Sequence, residues 1–212
     1  MRWLCGVYSV WFVGWAAAYL SYFGPAAFLW VCCLSNVVVL AGFWLERPAF
    51  FSAAAVAVLG VQAVWWFDLL GRALLGTFPL GVTAYLFDPA TPLLIRALSG
   101  FHGWMPALLV FLVARSGYQP AAMPWVVLGS VALFILCSFA SPPPLPGAMA
   151  SRTPNINWVH GIAGADSHKG AAFDVLRALT VYLAIFVLPT HVALRYLAPR
   201  ARTPRAELAG GI

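Results

Sequence analysis

Long apolar segments separated by short turn signals constrain this chain more than any other feature. A helix needs about 20 apolar residues to cross a bilayer, and it satisfies its own backbone hydrogen bonds there. The chain is 63% hydrophobic and 8% charged, whereas a soluble domain is about 25% charged. We therefore expect an all-α, polytopic membrane helix bundle with about six transmembrane helices, over residues 3–22, 27–45, 50–70, 98–114, 125–140 and 174–196.

The distribution of positive charge predicts the orientation of this bundle. Six spans put both termini on one side, together with Arg2, Arg47, Arg115, Arg195, Arg200, Arg202 and Arg205. Arg72, Arg96, Arg152, Lys169 and Arg177 then lie on the other side. Because cytoplasmic loops carry the excess of Lys and Arg, we expect a multi-pass protein of the cell inner membrane with both termini cytoplasmic. Residues 1–199 would form one domain, and 200–212 a flexible basic tail.

The net charge of +6 suggests membrane lipid rather than nucleic acid as a partner, since the tail arginines suit anionic headgroups. A homo-oligomer and a larger membrane complex both remain open. The sequence identifies neither the substrate nor a protein partner.

One apolar stretch, residues 73–87, is too short to cross a membrane before the Asp88-Pro89 turn. Gly76, Pro79 and Gly81 also interrupt it. Irregular backbone at membrane depth is tolerated only where protein or a water-filled cavity covers it. We therefore expect a short re-entrant or interfacial segment between spans 3 and 4.

Metal and cofactor motifs are absent from the sequence. The four cysteines, Cys5, Cys32, Cys33 and Cys137, form no CxxC pair, and the histidines fit neither HxxxH nor HExxH. Nucleotide-binding glycine loops are also missing. We expect no cofactor and no metal, and the default role of a membrane cysteine is packing in a helix core.

Polar residues from separate spans are expected at one membrane depth, near the outer surface. The six-span arrangement brings together Cys32 or Cys33 of span 2, Asp68 of span 3 and His102 of span 4. A thiol becomes a strong nucleophile when an imidazole takes its proton. The sharper hypothesis makes Cys32 the nucleophile, His102 the base and Asp68 the group that orients the imidazole. In the simpler one, the cysteines pack and His102 bonds a neighbouring helix.

Three further charged residues are ligand-binding candidates. Arg72 could contact a ligand or pair with Asp68 four residues earlier. Asp88 could contact a ligand or start a turn. Arg96 could bind a lipid phosphate or extend to the headgroups.

The segment NINWVHG offers Asn155, Asn157 and His160 to a ligand headgroup, although capping of a turn is the simpler role for the asparagines. His191 is expected near the opposite membrane face, away from His102.

Several pieces together resemble a family of bacterial integral membrane proteins described as membrane-associated. They are YFGPAAFLW at 22–30, WLERP at 44–48, FDLLGR at 67–72, GVTAYLFDPATPLLIRALSGFH at 81–102, RSGY at 115–118, NINWVHG at 155–161 and LPTHVALR at 188–195. The resemblance covers nearly the whole chain but implies no activity. The family has an acidic residue where this chain has Cys33.

The layout is also similar to that of six-span lipid hydrolases and acyltransferases of the androgen-induced-gene type. Those have an early Thr or Cys nucleophile and a later His, and Cys32 and His102 are the matching residue types. Three hypotheses follow: a Cys/His-dependent acyl hydrolase or acyltransferase near the outer leaflet, a non-enzymatic lipid-binding or transport module, and a scaffold subunit.

Overall fold

Helices form nearly all of the structure, a computed structural model that describes residues 1–140, 155–160 and 171–199. The α-helices are α1 (Arg2–Phe23), α2 (Val31–Trp44), α3 (Pro48–Leu75), α4 (Leu93–Leu98), α5 (Phe101–Ser116), α6 (Met123–Ala140), α7 (Ala171–Val181) and α8 (Leu188–Leu197). Short 3-10 helices cover Pro25–Leu29, Ala84–Leu86, Pro120–Ala122 and Ile156–Trp158, and a π-helical segment, Tyr182–Val187, joins α7 to α8.

The predicted all-α membrane bundle is confirmed. Five helical stretches in the described residues are long and apolar enough to cross a membrane, and α2 is a shorter apolar helix. Large apolar side chains also face outward, with Val10 77%, Trp125 74% and Phe139 84% exposed. Such surfaces suit lipid rather than water. The predictions for residues 141–154, 161–170 and the basic tail 200–212, including Arg152 and Lys169, lie outside the described residues.

The bundle has two ends that are built differently. At the first, which we call the cavity end, the 3-10 helix Pro25–Leu29, the loop 76–92 and residues 155–160 cover the helix termini. At the second, the Tyr118 end, short connections join the helices. There the Tyr118 N–H donates to the carbonyl of Pro199 at 2.9 Å, and the Gln119 N–H donates to the Ser52 hydroxyl at 3.0 Å.

The irregular region after span 3 begins later than the sequence suggests. Residues 73–75 complete α3, which ends at Gly76 in the left-handed conformation, with a φ of 74°. Glycine adopts this conformation without the steric cost of a Cβ atom. Residues 76–92 then form a loop that contains only the short helix Ala84–Leu86.

Two predicted spans are also interrupted at the cavity end. The predicted span 98–114 lies in α5 from residue 101 onward, and a break at Ser99 and Gly100 separates it from the short helix α4 that precedes it. The predicted span 27–45 begins as a 3-10 helix, and its α-helical part starts only at Val31. Both interruptions lie beside the cavity described below.

Aromatic packing fixes α1 against the rest of the bundle. Tyr8, Trp15 and Tyr19 are buried on one face of α1, as their spacing of seven and four residues allows. The ring centroid of Trp15 lies 4.8 Å from that of Tyr19, with the two rings tilted, and 5.6 Å from that of Phe101, edge-on. The Tyr8 hydroxyl also donates to Asn36 Oδ1 at 3.0 Å. Such packing and interhelical hydrogen bonding drive helix association in lipid, where apolar burial supplies little.

The π-helical segment packs against the small-residue face of α3. The Tyr182 hydroxyl donates to the Ala57 carbonyl at 2.8 Å. A Cβ atom at Gly60 would lie 3.1 Å from the Cα of Phe186. The absence of a side chain at Gly60 therefore allows this close approach.

Candidate active site

A cavity of about 430 Å³ opens between the helices at the cavity end. Its walls are mostly apolar and include residues of α1, α3, the loop 76–92 and residues 155–160. Its polar side chains are Tyr19, Cys32, Cys33, Tyr85 and His102, and the indoles of Trp30, Trp65 and Trp158 also line it. No Asp, Glu, Lys or Arg of the described residues lines it. A ligand there would meet an apolar wall and a few uncharged donors.

The structure brings Cys32 and His102 together, although they are far apart in sequence. Both side chains line the cavity. The Cys32 thiol interacts with the His102 imidazole and with the Cys33 thiol beside it. Cys32 lies in the first turn of α2 and His102 in the first turn of α5. The interruptions of these two spans therefore place both side chains at the same depth.

His102 is held in one orientation by a glutamine and two aromatic rings. Its Nδ1 lies 2.6 Å from Oε1 of Gln62. Its ring stacks on Trp65, with centroids 5.1 Å apart, and on Phe101, 4.1 Å apart. Because the amide oxygen only accepts, Nδ1 carries the proton. Nε2 is then the nitrogen left to accept a proton from a nucleophile.

The predicted orienting role of Asp68 is wrong. Asp68 is fully buried, but its carboxylate holds the loop instead of the imidazole. One oxygen accepts the N–H groups of Leu80 at 2.7 Å and Gly81 at 2.9 Å. The other accepts the N–H of Thr83 at 2.8 Å and its hydroxyl at 2.7 Å. Asp68 therefore shapes the site indirectly, because Leu80 and Gly81 belong to the cavity wall.

The expected ion pair between Asp68 and Arg72 is also absent from the described residues, for the same reason. The Arg72 guanidinium donates to the Gly76 carbonyl and lies over Phe78 and Phe87, 5.2 and 5.7 Å from their ring centroids. It braces the loop from outside.

The other two charged candidates also contact the backbone of the loop 76–92. Asp88 accepts the N–H of Ala90 at 2.9 Å, which is the predicted turn. Arg96 Nη1 lies 3.5 Å from the Leu86 carbonyl. None of Arg72, Asp88 and Arg96 lines the cavity, so a ligand-binding role for them remains a prediction.

The two asparagines of residues 155–160 act as caps. Asn155 Oδ1 accepts the N–H of His160 at 2.9 Å, within its own turn. Asn157 Oδ1 accepts the N–H of Val31 at 3.1 Å, and its Nδ2 donates to the Leu29 carbonyl at 2.7 Å. Asn157 thus caps the start of α2, the helix that carries Cys32.

His160 is 4% exposed and lies outside the cavity wall. A ligand role for His160, Asn155 or Asn157 remains a prediction.

Sequence reasoning missed Gln62 and Tyr85 as parts of the site. Gln62 is a polar residue inside an apolar span, and it lies six residues before Asp68 on α3. That isolation was a usable signal, because intramembrane polar groups must pair. Tyr85 lies in the irregular stretch, where the sequence does not predict the direction of a side chain.

His191 lies at the Tyr118 end, as expected. Its Nδ1 lies 2.5 Å from the Tyr118 hydroxyl. The start of α5, which carries His102, is about 20 Å away, at 1.5 Å per helical residue. His191 therefore takes no part in the Cys32–His102 site.

Comparisons with known proteins do not identify the site. Within the described residues, no group of three or more His, Cys, Asp or Glu side chains is placed to hold a metal ion. No protein-family model, curated protein or solved structure matches this chain.

Proposed function

We propose that this protein is a membrane-embedded acyl hydrolase or acyltransferase in which Cys32 is the nucleophile and His102 the general base. The interaction of Cys32 with His102 inside one apolar cavity carries this proposal. Gln62 replaces Asp68 as the positioning residue. A Cys–His pair oriented by a side-chain amide is also the arrangement of papain-like proteases.

The reaction begins with transfer of the Cys32 proton to Nε2 of His102. The thiolate sulfur attacks the acyl carbonyl carbon, and the carbonyl electron pair moves to the oxygen. When that pair returns to re-form the carbonyl, the bond from the acyl carbon to the alcohol oxygen breaks. The imidazolium then gives its proton to the departing alcohol oxygen. The product is a thioester on Cys32. Water or a second alcohol, deprotonated by His102, then takes the acyl group and regenerates the thiol.

Membrane lipid is the substrate source that best fits this cavity. The bundle crosses the bilayer, and the cavity has an apolar wall. We assign the cavity end to the outer leaflet of the inner membrane and both termini to the cytoplasm, because Arg2, Arg47 and Arg115 lie toward the Tyr118 end.

The test is labelling of Cys32 by a long-chain acyl probe with a thiol-reactive head, in native membranes at neutral pH. We expect Cys32→Ala to abolish labelling and the matched control Cys33→Ala to retain it. His102→Gln should lower the labelling rate by about 100-fold or more. The labelling rate of this variant should recover above about pH 8.5, where a thiol ionises without a base.

Labelling that is lost in Cys33→Ala and retained in Cys32→Ala contradicts the assignment of Cys32 as the nucleophile. Full labelling of His102→Gln at neutral pH contradicts the role of the base. An unfolding midpoint of His102→Gln close to that of the wild-type protein separates a lost base from a misfolded protein, because misfolding would lower the midpoint.

Non-enzymatic lipid binding is the second candidate, and the largely apolar wall of the cavity favours it. It predicts that lipid co-purifies with the protein in native mass spectrometry, and that Cys32→Ala and His102→Gln leave the bound amount unchanged. Turnover of the bound lipid by wild-type protein but not by Cys32→Ala would contradict this candidate.

A further inference from the structure

Tyr85 places an unused hydroxyl in the cavity. Its side chain lines the wall and is half-buried. Its nearest polar neighbours are Ser99 and the indole N–H of Trp65. Ser99 is already engaged, because its hydroxyl donates to the Ile95 carbonyl at 2.8 Å and lies 2.5 Å from that of Tyr19. The Tyr85 hydroxyl lies against these two groups at the cavity wall, where its O–H can turn to donate to a molecule inside.

The Trp65 N–H is a second unused donor in the same place. Trp65 is 8% exposed and lines the cavity, and its Nε1 has no hydrogen-bond partner. It approaches the Tyr85 oxygen without reaching hydrogen-bond geometry. Buried donors without partners are unfavourable, and each one calls for an explanation. An acceptor that enters the cavity and draws these groups together would satisfy both.

We infer that the Tyr85 hydroxyl, with the Trp65 N–H behind it, binds the carbonyl oxygen of an uncharged acyl ester in this cavity. The catalytic part of this inference rests on the function proposed above. Tyr85 would be the group that touches the oxygen, and Trp65 a positioning residue that donates to the phenol oxygen. A chain of two donors strengthens the final hydrogen bond, since each bond polarises the next.

The charge of the wall defines the substrate class. A phosphate or carboxylate inside the cavity would lie among apolar groups and neutral donors, without a described Lys or Arg beside it. Burying such an anion without a counter-charge is strongly unfavourable. An ester of a neutral lipid, such as a glyceride, places only a carbonyl among these groups. The cavity therefore selects neutral acyl lipids over charged amphiphiles.

Tyr85 is suited to stabilise the negative oxygen that forms during the attack. Burial raises the pKa of Tyr85 to about 12, so the phenol remains a donor at neutral pH. Donors aimed at the developing oxyanion typically contribute about 100- to 1000-fold to the rate. We expect Tyr85→Phe to lower acyl transfer by that factor, with a smaller loss for Trp65→Phe.

The test uses a long-chain methyl ketone with a ¹³C-labelled carbonyl, bound to purified Cys32→Ala protein. A hydrogen bond to the carbonyl lowers its infrared stretching frequency, which purely structural damage does not. We expect a lowered frequency in this background and its return toward the value in apolar solvent when Tyr85→Phe is added. Trp65→Phe should reduce the frequency shift, because it removes the indole N–H that donates to the Tyr85 oxygen. Phenylalanine is chosen because it keeps an aromatic ring stacked on His102.

Trp66→Phe is the matched control, since Trp66 is the next residue, is 38% exposed and does not line the cavity. We expect it to leave the frequency unchanged. A long-chain alkyl phosphate should not displace the ketone. An unchanged frequency in Tyr85→Phe, no bound ketone, or displacement by the phosphate overturns the inference.

The outcome is independent of the thiol chemistry, because Cys32 is absent from the test protein. If Cys32 labelling succeeds and the carbonyl shift fails, the proposed acyl chemistry stands and this binding assignment falls. If the shift is present and Cys32 labelling fails, the carbonyl site stands and the acyl-transfer role falls.

Discussion

At the Tyr118 end, residues 45–47 and 117–119 suffice to connect the helices, whereas at the cavity end the loop 76–92 and residues 155–160 lie over the helix termini. The Tyr118 end is closed by direct bonds such as Tyr118 to His191. The cavity end is closed by polar side chains that hold backbone loops, and it retains unpartnered donors. The difference indicates that one end is built for closure and the other around a space.

The largest expected effect comes from removing the carboxylate that holds the cavity loop. Asp68→Ala leaves three N–H groups and the Thr83 hydroxyl without their acceptor. We expect a loss of about 3–5 kcal/mol in unfolding free energy, measured by thermal unfolding in detergent, together with faster proteolysis of the loop. The control Asp88→Ala removes one exposed turn bond and should cost about 1 kcal/mol or less. Equal effects of the two variants would remove the distinction between a held loop and an ordinary turn.

The next effect tests the cap that residues 155–160 provide to α2. Asn157→Ala removes the acceptor of the Val31 N–H and the donor to Leu29. We expect a loss of about 2 kcal/mol and easier modification of Cys32 by soluble maleimide. Asn155→Ala, which breaks only a local turn bond, serves as the comparison. A stability loss without greater Cys32 accessibility would mean that the cap does not shape the site.

A smaller effect is expected from the amide that orients the imidazole. Gln62→Leu keeps the volume in α3 but leaves Nδ1 of His102 without its acceptor. We expect the labelling rate of Cys32 to fall about 10-fold while thermal stability changes little. An unchanged rate would show that the two stacked aromatic rings alone orient His102.

The smallest effect belongs to the opposite end. Tyr118→Phe removes one hydrogen bond to His191, which is worth about 1 kcal/mol, and Cys32 labelling should not change. A loss of labelling would show that the two ends are coupled.

The same variant has a pH signature. Burial raises the pKa of Tyr118 from its ordinary value of 10 to about 12. The unfolded chain therefore loses this proton first, and stability falls as the pH rises from about 10 to 12. Tyr118→Phe should show a shallower decline over that range in unfolding midpoints. An identical decline in both proteins would assign the slope to other groups.

The fold was predictable because apolar length is a strong signal. The spans and the depth shared by Cys32 and His102 follow from counting residues between turns. The partner of His102 was not predictable in this way, since Asp68 and Gln62 both lie on α3 and both could have reached the imidazole. In the folded protein the Asp68 carboxylate accepts four hydrogen bonds, three of them from N–H groups of the loop 76–92. It therefore has no free acceptor position directed at His102. The local sequence does not predict which of these groups the Asp68 carboxylate binds, because that depends on the path of the loop.

The predicted helix boundaries were wrong where the backbone departs from regular α-helical geometry. Ser99 and Gly100 separate α4 from α5 within a stretch that is apolar enough to be read as one span. Tyr85 illustrates the same limit, because the path of a loop determines the direction of its side chains. The long-range cap from Asn157 to Val31 joins residues 126 positions apart, and no local pattern predicts it.

The π-helical segment has a consequence for how this chain tolerates length changes. A π turn holds one residue more than an α turn at the same place, so α7 and α8 are out of phase by about 100° relative to one continuous helix. Deleting one residue within Tyr182–Val187 would remove this extra residue and convert the segment to a regular helix, while α7 and α8 keep their present faces toward the bundle. A single-residue deletion there should therefore be tolerated better than one within α7 or α8, which would rotate one half of the span by about 100°.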